Sequence, residues 1–282
     1  MTKIFYFSAT GNSLWSAKKI AHNIYSDAPD EKYELVNIGK AAYEVSPEKG
    51  DLKISNKKKR KYLIEADTVI FIFPSFAYGM PRVMRNFVKN AEFKTSYLAA
   101  LVTYGSSPGG TLGSLRRILK KKKIDKMFFG KIPAVENYLA IFGTPSGDTI
   151  KKRCEMQKQV TEALTRSIIE RKENRVSMFY PLSFIIYCLF SLGIKLFYKF
   201  YKVSDKCTGC GICEKICPVS AIIMKEKTSG GVLKRQPRFT SKCEHCQGCV
   251  DLCPLRAIQF ARVRFGAPGY RHPEININEL MK

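Results

Sequence analysis

"IFYFSATGNS", Ile4 to Ser13, runs four apolar residues straight into a turn of hydroxyls, an amide side chain and a glycine. The stretch that follows, Ser13 to Ile24, carries Leu14, Ala17, Ile20 and Ile24 at close to helical spacing. A strand, a polar turn and an amphipathic helix form a unit that buries its faces only by repeating. It does repeat. "ELVNI" (Glu34 to Ile38), "TVIFIFP" (Thr68 to Pro74), "SYLAALVTY" (Ser96 to Tyr104) and "KMFFGKI" (Lys126 to Ile132) read as four more strands. "TVIFIFP" is apolar throughout, as suits a strand covered on both faces. Helical stretches lie between them: "PRVMRNFVKN" with Val83, Met84 and Phe87 on one stripe, "LGSLRRILKKK", and Thr149 to Lys172. The alternation predicts an α/β fold over residues 1–175, a doubly wound parallel five-stranded sheet. Right-handed crossovers would put its ligand beyond the strands' C-terminal ends.

Three of the loops at that edge have unusual composition. In "SATGNS", Ser8, Thr10, Gly11, Asn12 and Ser13 stand at a helix N-terminus, where backbone N–H groups, the helix dipole and hydroxyl donors make an anion pocket. No lysine occupies the place a nucleoside triphosphate loop requires, so a phosphomonoester such as that of FMN fits better. An ordinary N-cap at Asn12 or Ser13 is the plainer reading of the turn alone. "PSFAYGMP" (Pro74 to Pro81) contributes Ser75, Phe76, Tyr78 and Gly79, and "YGSSPGG" contributes Tyr104 and Gly105. Aromatics among Gly and Pro suit a planar ring lying against loop backbone, although packing alone explains any one of them.

Together these loops resemble the three flavin-binding loops of the flavodoxin family, over roughly residues 1–170. The resemblance implies non-covalent FMN, with the phosphate at Ser8, Thr10, Gly11, Asn12 and Ser13. One departure concerns tryptophan. The single Trp of the chain is Trp15, on the first helix and in neither ring loop, so the stacking residue is to be sought among Tyr78, Tyr104 and Phe76.

Eight of the ten cysteines fall in two copies of one motif, "CTGCGICEKICP" (Cys207 to Pro218) and "CEHCQGCVDLCP" (Cys243 to Pro254). In C-x2-C-x2-C-x3-C-P the first three thiolates wrap one iron–sulfur cube and the fourth leans to the other, so two copies exchange their last ligands. Cys207, Cys210, Cys213 and Cys253 would hold one [4Fe-4S] cluster, and Cys243, Cys246, Cys249 and Cys217 the other. Zinc favours paired C-x2-C knuckles across a longer loop. "CPVSAI" recurs as "CPLRAI", so the duplication extends beyond the ligands. His245, inside the second copy, has no ligand slot to fill. This part resembles the bacterial two-cluster ferredoxins over residues 203–265, a small α+β lobe. Ile223 to Lys242 reads as a hairpin insertion turning at Gly230-Gly231, and residues 266–282 as a tail.

Between the modules, residues 176–202 form an apolar connector. Val176 to Ile194 carries no charge, and its length meets the criterion for a membrane span. Two readings stand: a helix packed into the groove between domains, or a helix lying on a membrane surface, aided by flanking Lys and Arg. Cys154 and Cys188 read as free thiols.

The net charge of +24 in 282 residues, with runs at Lys57 to Lys61 and Lys120 to Lys123, suits solvated faces or an acidic partner. No helix-turn-helix, zinc finger or RNA-binding signature accompanies it, which argues against nucleic acid. The clustered cysteines and the absence of a secretory leader pattern predict a reducing, cytoplasmic setting, with membrane association as the variant. No G-x-G-x-x-G follows a strand, so no nicotinamide site is expected. The whole chain resembles flavodoxin-like/ferredoxin fusions typical of anaerobic microbes. That likeness implies electron transfer between two [4Fe-4S] clusters and FMN, with an acidic ferredoxin or flavodoxin as redox partner. The alternatives are an FMN-dependent oxidoreductase reducing a small substrate, and a membrane-docked redox adaptor.

Overall fold

The computed structural model describes residues 1–26, 32–39, 53–56, 61–229, 232–260 and 267–281. Five strands, β1 (Thr2–Tyr6), β2 (Tyr33–Asn37), β3 (Thr68–Pro74), β4 (Tyr97–Tyr104) and β5 (Lys126–Pro133), form one sheet in the order β2-β1-β3-β4-β5. Every neighbouring pair is parallel, with Ile4 between Leu35 and Ile70. The order 2-1-3-4-5 is that of the flavodoxin-like doubly wound sheets, and it places the switch point between β1 and β3. β1 is buried along its whole length, and so is β4 from Tyr97 to Thr103, which explains why their sequences are apolar without alternation.

Helices α1 (Asn12–Tyr25), α2 (Arg82–Asn90), α3 (Thr111–Leu119) and α4 (Gly147–Ile169) cover the two faces. α4 starts two residues before the sequence expectation because the Ser146 side chain caps it, accepting from the Thr149 N–H at 3.2 Å. A second, three-stranded sheet joins Lys53–Asn56, Lys61–Glu65 and Ala91–Lys94. Its strands are short and polar at one end, so periodicity does not reveal them. Lys57 to Arg60 of the basic run lie outside the described residues.

The C-terminal lobe pairs β6 (Tyr201–Val203) antiparallel with β9 (Ile258–Phe260) and carries the hairpin of β7 (Ile222–Ser229) and β8 (Val232–Phe239). The turn at Gly230-Gly231 lies outside the described residues. Short helical turns at Ile212–Lys215 and Gly248–Asp251 follow the opening cysteines of each copy. The core does not stop at the lobe boundary. Phe5, Phe71 and Phe87 belong to the same buried cluster as Tyr201, Cys213, Cys217 and Phe239.

The connector folds as helix α5 (Pro181–Phe197), and one side of it packs between the lobes: Tyr187 meets the loop before α2, and Phe190 and Phe197 lie 6.1 and 5.0 Å from the ring of His245. Only Tyr187 and Ile194 are buried, Tyr187 donating its hydroxyl to the Met80 carbonyl at 2.7 Å, while most of its large apolar side chains remain exposed. The tail is likewise more than an appendage. Ile275 and Leu280 join the core around α1, and Lys18 is paired with Glu279.

Candidate functional site

At the C-terminal edge of the sheet the loops enclose a cavity of about 270 Å³. Its walls include Ser8, Thr10, Asn12 and Ser13 from the first loop, Ser75, Phe76 and Tyr78 from the second, and Tyr104 and Gly105 from the third. Gly11 and Gly79 are not in the wall; each has a backbone task. Gly11 precedes α1 at φ 105°, a left-handed conformation suited to glycine, and a Cβ there would press on His272 and Ile275. Gly79 closes a tight turn against Phe76 and leaves room for the Tyr187 ring. Ala77 and Tyr78, at φ 47° and 64°, form the middle of that turn and hold Tyr78 at the cavity.

The first loop suits an anion. No acidic side chain stands in the first turn of α1, and no side chain caps it. The Ser8 hydroxyl is buried with no hydrogen-bond partner, a donor in want of an acceptor. Asn12 and Ser13 are already engaged. The Asn12 amide donates to the Val135 carbonyl at 3.0 Å and accepts from the Tyr270 hydroxyl at 2.7 Å, and Ser13 is bonded to Thr103 at 2.8 Å. Their side chains brace the loop, and Ser8 and the backbone amides remain for a ligand.

Sequence reasoning missed the fourth wall. Val135, Glu136, Asn137 and Tyr138 follow β5 at the same sheet edge, and position alone would have nominated them. It also missed the fifth. His245, Cys246 and Gln247, from the second cysteine copy, line the same cavity as Ser8, Tyr78 and Tyr104.

The cysteines gather as two sets. Cys207, Cys210, Cys213 and Cys253 surround one small apolar cavity. Cys217 lies within electrostatic reach of Cys243, Cys246 and Cys249. Among the described residues no three His, Cys, Asp or Glu side chains converge on a point as one ion would require. Burial pushes the Cys213 thiol up to about 12 and the Cys243 thiol up to about 11. Cys210 alone among the eight is exposed.

Residues 206–268 match the 4Fe-4S dicluster domain family. This lobe is a 4Fe-4S dicluster domain. No curated relative matches the chain. Among solved structures, the NAD(P)H:quinone oxidoreductase from Methanothermobacter marburgensis aligns with 62% of this chain and 98% of its own, at 11% identity and a TM-score of 0.38. A short-chain flavodoxin associated with a non-canonical PDU bacterial microcompartment aligns with 60% of this chain and 97% of its own, at 12% identity and a TM-score of 0.38. The two-electron reduced Megasphaera elsdenii flavodoxin aligns with 58% and 99%, at 14% identity and a TM-score of 0.32. The strand order, not these low scores, makes the sheet flavodoxin-like. The chain joins that sheet to the dicluster domain.

Within the dicluster domain the backbone follows the sequence repeat. The Ala221 N–H donates to Cys217 Sγ at 3.2 Å and the Ala257 N–H to Cys253 Sγ at 3.3 Å. Ser220 and Arg256 both sit at φ 49°. Gly209 and Gly211 of the first copy adopt φ 73° and 75°, and their counterparts His245 and Gln247 adopt 58° and 62°. Left-handed backbone at a non-glycine residue costs on the order of 1–2 kcal/mol. The second copy bears that cost at the two residues that also wall the cavity. His245 is held on both sides, Nε2 to the Tyr138 hydroxyl at 2.9 Å and Nδ1 to the Tyr201 hydroxyl at 3.1 Å. Burial pulls the imidazole down to about 3, so it is neutral and one of the two tyrosines must donate to it. The network ties the dicluster domain to the loop after β5.

The tail closes the underside of the first loop. Tyr270 donates its N–H to Asp251 at 2.9 Å as its hydroxyl reaches Asn12, and the His272 N–H donates to the Thr10 carbonyl at 2.8 Å. His272 is fully buried and stacks on Trp15 with ring centroids 5.0 Å apart. Burial pulls its imidazole down to about 4, with Glu274 opposing. A histidine held below its unfolded value of about 6.5 stabilises fully above that pH and loses the contribution as pH falls towards 4. Tail docking is therefore expected to weaken between pH 6.5 and 4 by up to about 1.4 kcal/mol per unit. Emission of Trp15, the only tryptophan, reports it; a His272→Gln variant should flatten the profile, and an unchanged profile would refute the assignment.

Proposed function

We propose that the chain is an electron relay holding two [4Fe-4S] clusters and one non-covalent FMN, fed by a redox protein. One observation supports this above the rest: Cys246 shares a cavity with the three loops of the flavodoxin-like sheet. A cluster held there would lie against a flavin held by those loops, with no intervening domain movement. When bound, the clusters supply one-electron steps and the flavin one- or two-electron steps.

The residues have distinct tasks under this reading. Cys207, Cys210, Cys213 and Cys253 hold the outer cluster, and exposed Cys210 brings it to the surface. Cys243, Cys246, Cys249 and Cys217 hold the inner one, and His245 and Gln247 keep water from the space between it and the ring. Ser8 and the backbone N–H groups at the start of α1 receive the phosphate; Phe76, Tyr78 and Tyr104 contact the ring. Lys206 and Lys215 are exposed beside the outer set, and Arg235 lies against Gly209. That basic rim suits an acidic ferredoxin or flavodoxin.

Anaerobic reconstitution should yield about eight irons, eight sulfides and one FMN per chain. Flavin reduction by an acidic reduced ferredoxin should slow as ionic strength rises. Iron near four, or zinc in its place, would overturn the two-cluster reading. Saturable turnover of a small substrate without a protein partner would assign the chain to the flavin-dependent oxidoreductases instead.

A further inference from the structure

Helix α5 is built the wrong way round for a water-soluble connector. Its sequence, free of charge from Pro181 to Ile194, would normally be buried, yet Leu182, Ile185, Leu189, Leu192 and Leu196 are each more than half exposed. They recur at alternating steps of three and four, so they form one continuous stripe along the outer face. Tyr187 and Ile194 occupy the opposite face and pin the helix to the body. Arg85 lies 5.0 Å from the centre of the Tyr187 ring and strengthens that attachment. Together with the helical turn that follows it, the segment Pro181–Phe200 is long and apolar enough to cross a membrane by length and composition. Pinned along its length, it instead presents one side.

Around the stripe the chemistry changes in a particular way. Phe179 and Phe200, at 80% and 56% exposure, stand just beyond the two ends of the helix, and Phe184, at 54%, flanks the stripe. Arg175, Lys195, Lys199 and Lys202 are exposed beyond or beside it. Ile141 and Phe142, at 71% and 55% exposure, form a lip of the cavity whose wall also contains Ile186 and Phe190 of α5. Leucines in a row, aromatics around them and cations at the margin match the layers of a lipid interface.

The alternating stripe also suits a seam with a second copy of this chain. Charge decides between the two. Each copy carries +24, and the positions beside the stripe, Ile186, Cys188, Gly193 and Lys195, offer no acidic group to pair with a partner's lysines. Self-association would bring like charges together; an anionic bilayer would neutralise them.

We propose that α5 is a membrane-docking face. It lies flat in the headgroup region of an anionic bilayer, with the Leu182–Leu196 stripe in the acyl boundary and the cavity lip turned towards the lipid. The inference stands independently of the cofactor assignment.

The test is co-sedimentation of the iron-loaded full chain with vesicles of phosphatidylcholine and phosphatidylglycerol at three to one, against pure phosphatidylcholine. Binding is expected to the first at low salt and to fall at least about ten-fold in Leu189→Glu/Leu192→Glu, whose side chains contact solvent and not the core. A second variant, Lys195→Glu/Lys199→Glu, keeps the stripe and should lose roughly ten-fold on anionic vesicles alone. Absence of wild-type binding at low salt would overturn the proposal, as would undiminished binding by either variant. A stable dimer in sedimentation velocity that Leu189→Glu/Leu192→Glu dissolves would give the face to a second copy, and overturn it equally.

Discussion

Cys253→Ser is expected to empty the outer cysteine set while the inner set stays filled, so that iron falls from about eight to about four per chain. Sequence proximity argues the reverse, because Cys253 belongs to the second copy. In the fold it lines the cavity of Cys207, Cys210 and Cys213, and the thiols of Cys207, Cys210 and Cys253 all raise that of Cys213. Serine at that position supplies an alcohol that neutral water does not deprotonate. It also takes away the sulfur that accepts from the Ala257 N–H. Cys217→Ser should do the mirror experiment, emptying the inner set, which abuts the cavity, and leaving the outer set at the surface. The two variants then separate by function. Losing the outer set slows delivery from a protein donor, whereas losing the inner set breaks the path to the cavity. Metal analysis and low-temperature paramagnetic spectra read both. Loss of the inner signal in Cys253→Ser would mean that each copy completes its own site.

The expectation of an exchange comes from the motif's repeated spacing, because spacing is what a cube reads. The sheet was legible for a similar reason. A strand buried on both faces, such as Thr68–Pro74, has no room for a polar residue, so its apolar run announces itself. What escaped the sequence is whatever depends on one element meeting another. His245 looks idle within its motif because its partners, Tyr138 and Tyr201, are far away in the chain. A clue did exist: the first copy has glycine at the two left-handed positions, and the second has His and Gln. Breaking a glycine rule inside a repeat marks a place where side chains are wanted. The tail gives no such clue. Tyr270 and His272 sit in an ordinary polar stretch, and only contact with Asn12, Thr10 and Trp15 assigns them a task. For α5 the apolar sequence is compatible with burial, membrane or partner, and the fold buries one face while leaving the Leu182–Leu196 stripe exposed.

Arg82→Met is expected to loosen the joint between the lobes by about 3–5 kcal/mol, the cost of stranding a buried charge. Glu244 is the charge in question, its side chain 2% exposed between Cys243 and His245 of the inner copy. One carboxylate oxygen accepts the Arg82 backbone N–H at 2.8 Å, at the exposed-amide end of α2, and the other accepts Nε at 3.3 Å. The same guanidinium donates to the Cys243 carbonyl at 2.6 Å. One side chain thus holds both a ligand's backbone and its neighbour's carboxylate. Burial raises the Glu244 carboxyl above the usual range and Arg82 opposes that rise. Without the arginine the group must either stay charged and unpaired or take up a proton, and both alternatives weaken the docked state. The backbone amides of Arg82 and Val83 in helix α2 stay on the carboxylate, so the loop should shift without detaching. Chemical unfolding of the iron-loaded protein under argon measures the loss. Glu244→Gln alone should cost less, and the double variant should cost clearly less than the two singles combined, because the second change removes the charge that the first one strands. Additivity within about 0.5 kcal/mol would mean that the pair is not coupled. In the same variant, flavin reduction through the clusters should slow with iron content unchanged, since the loop that carries Cys246 to the cavity is the loop that Arg82 holds.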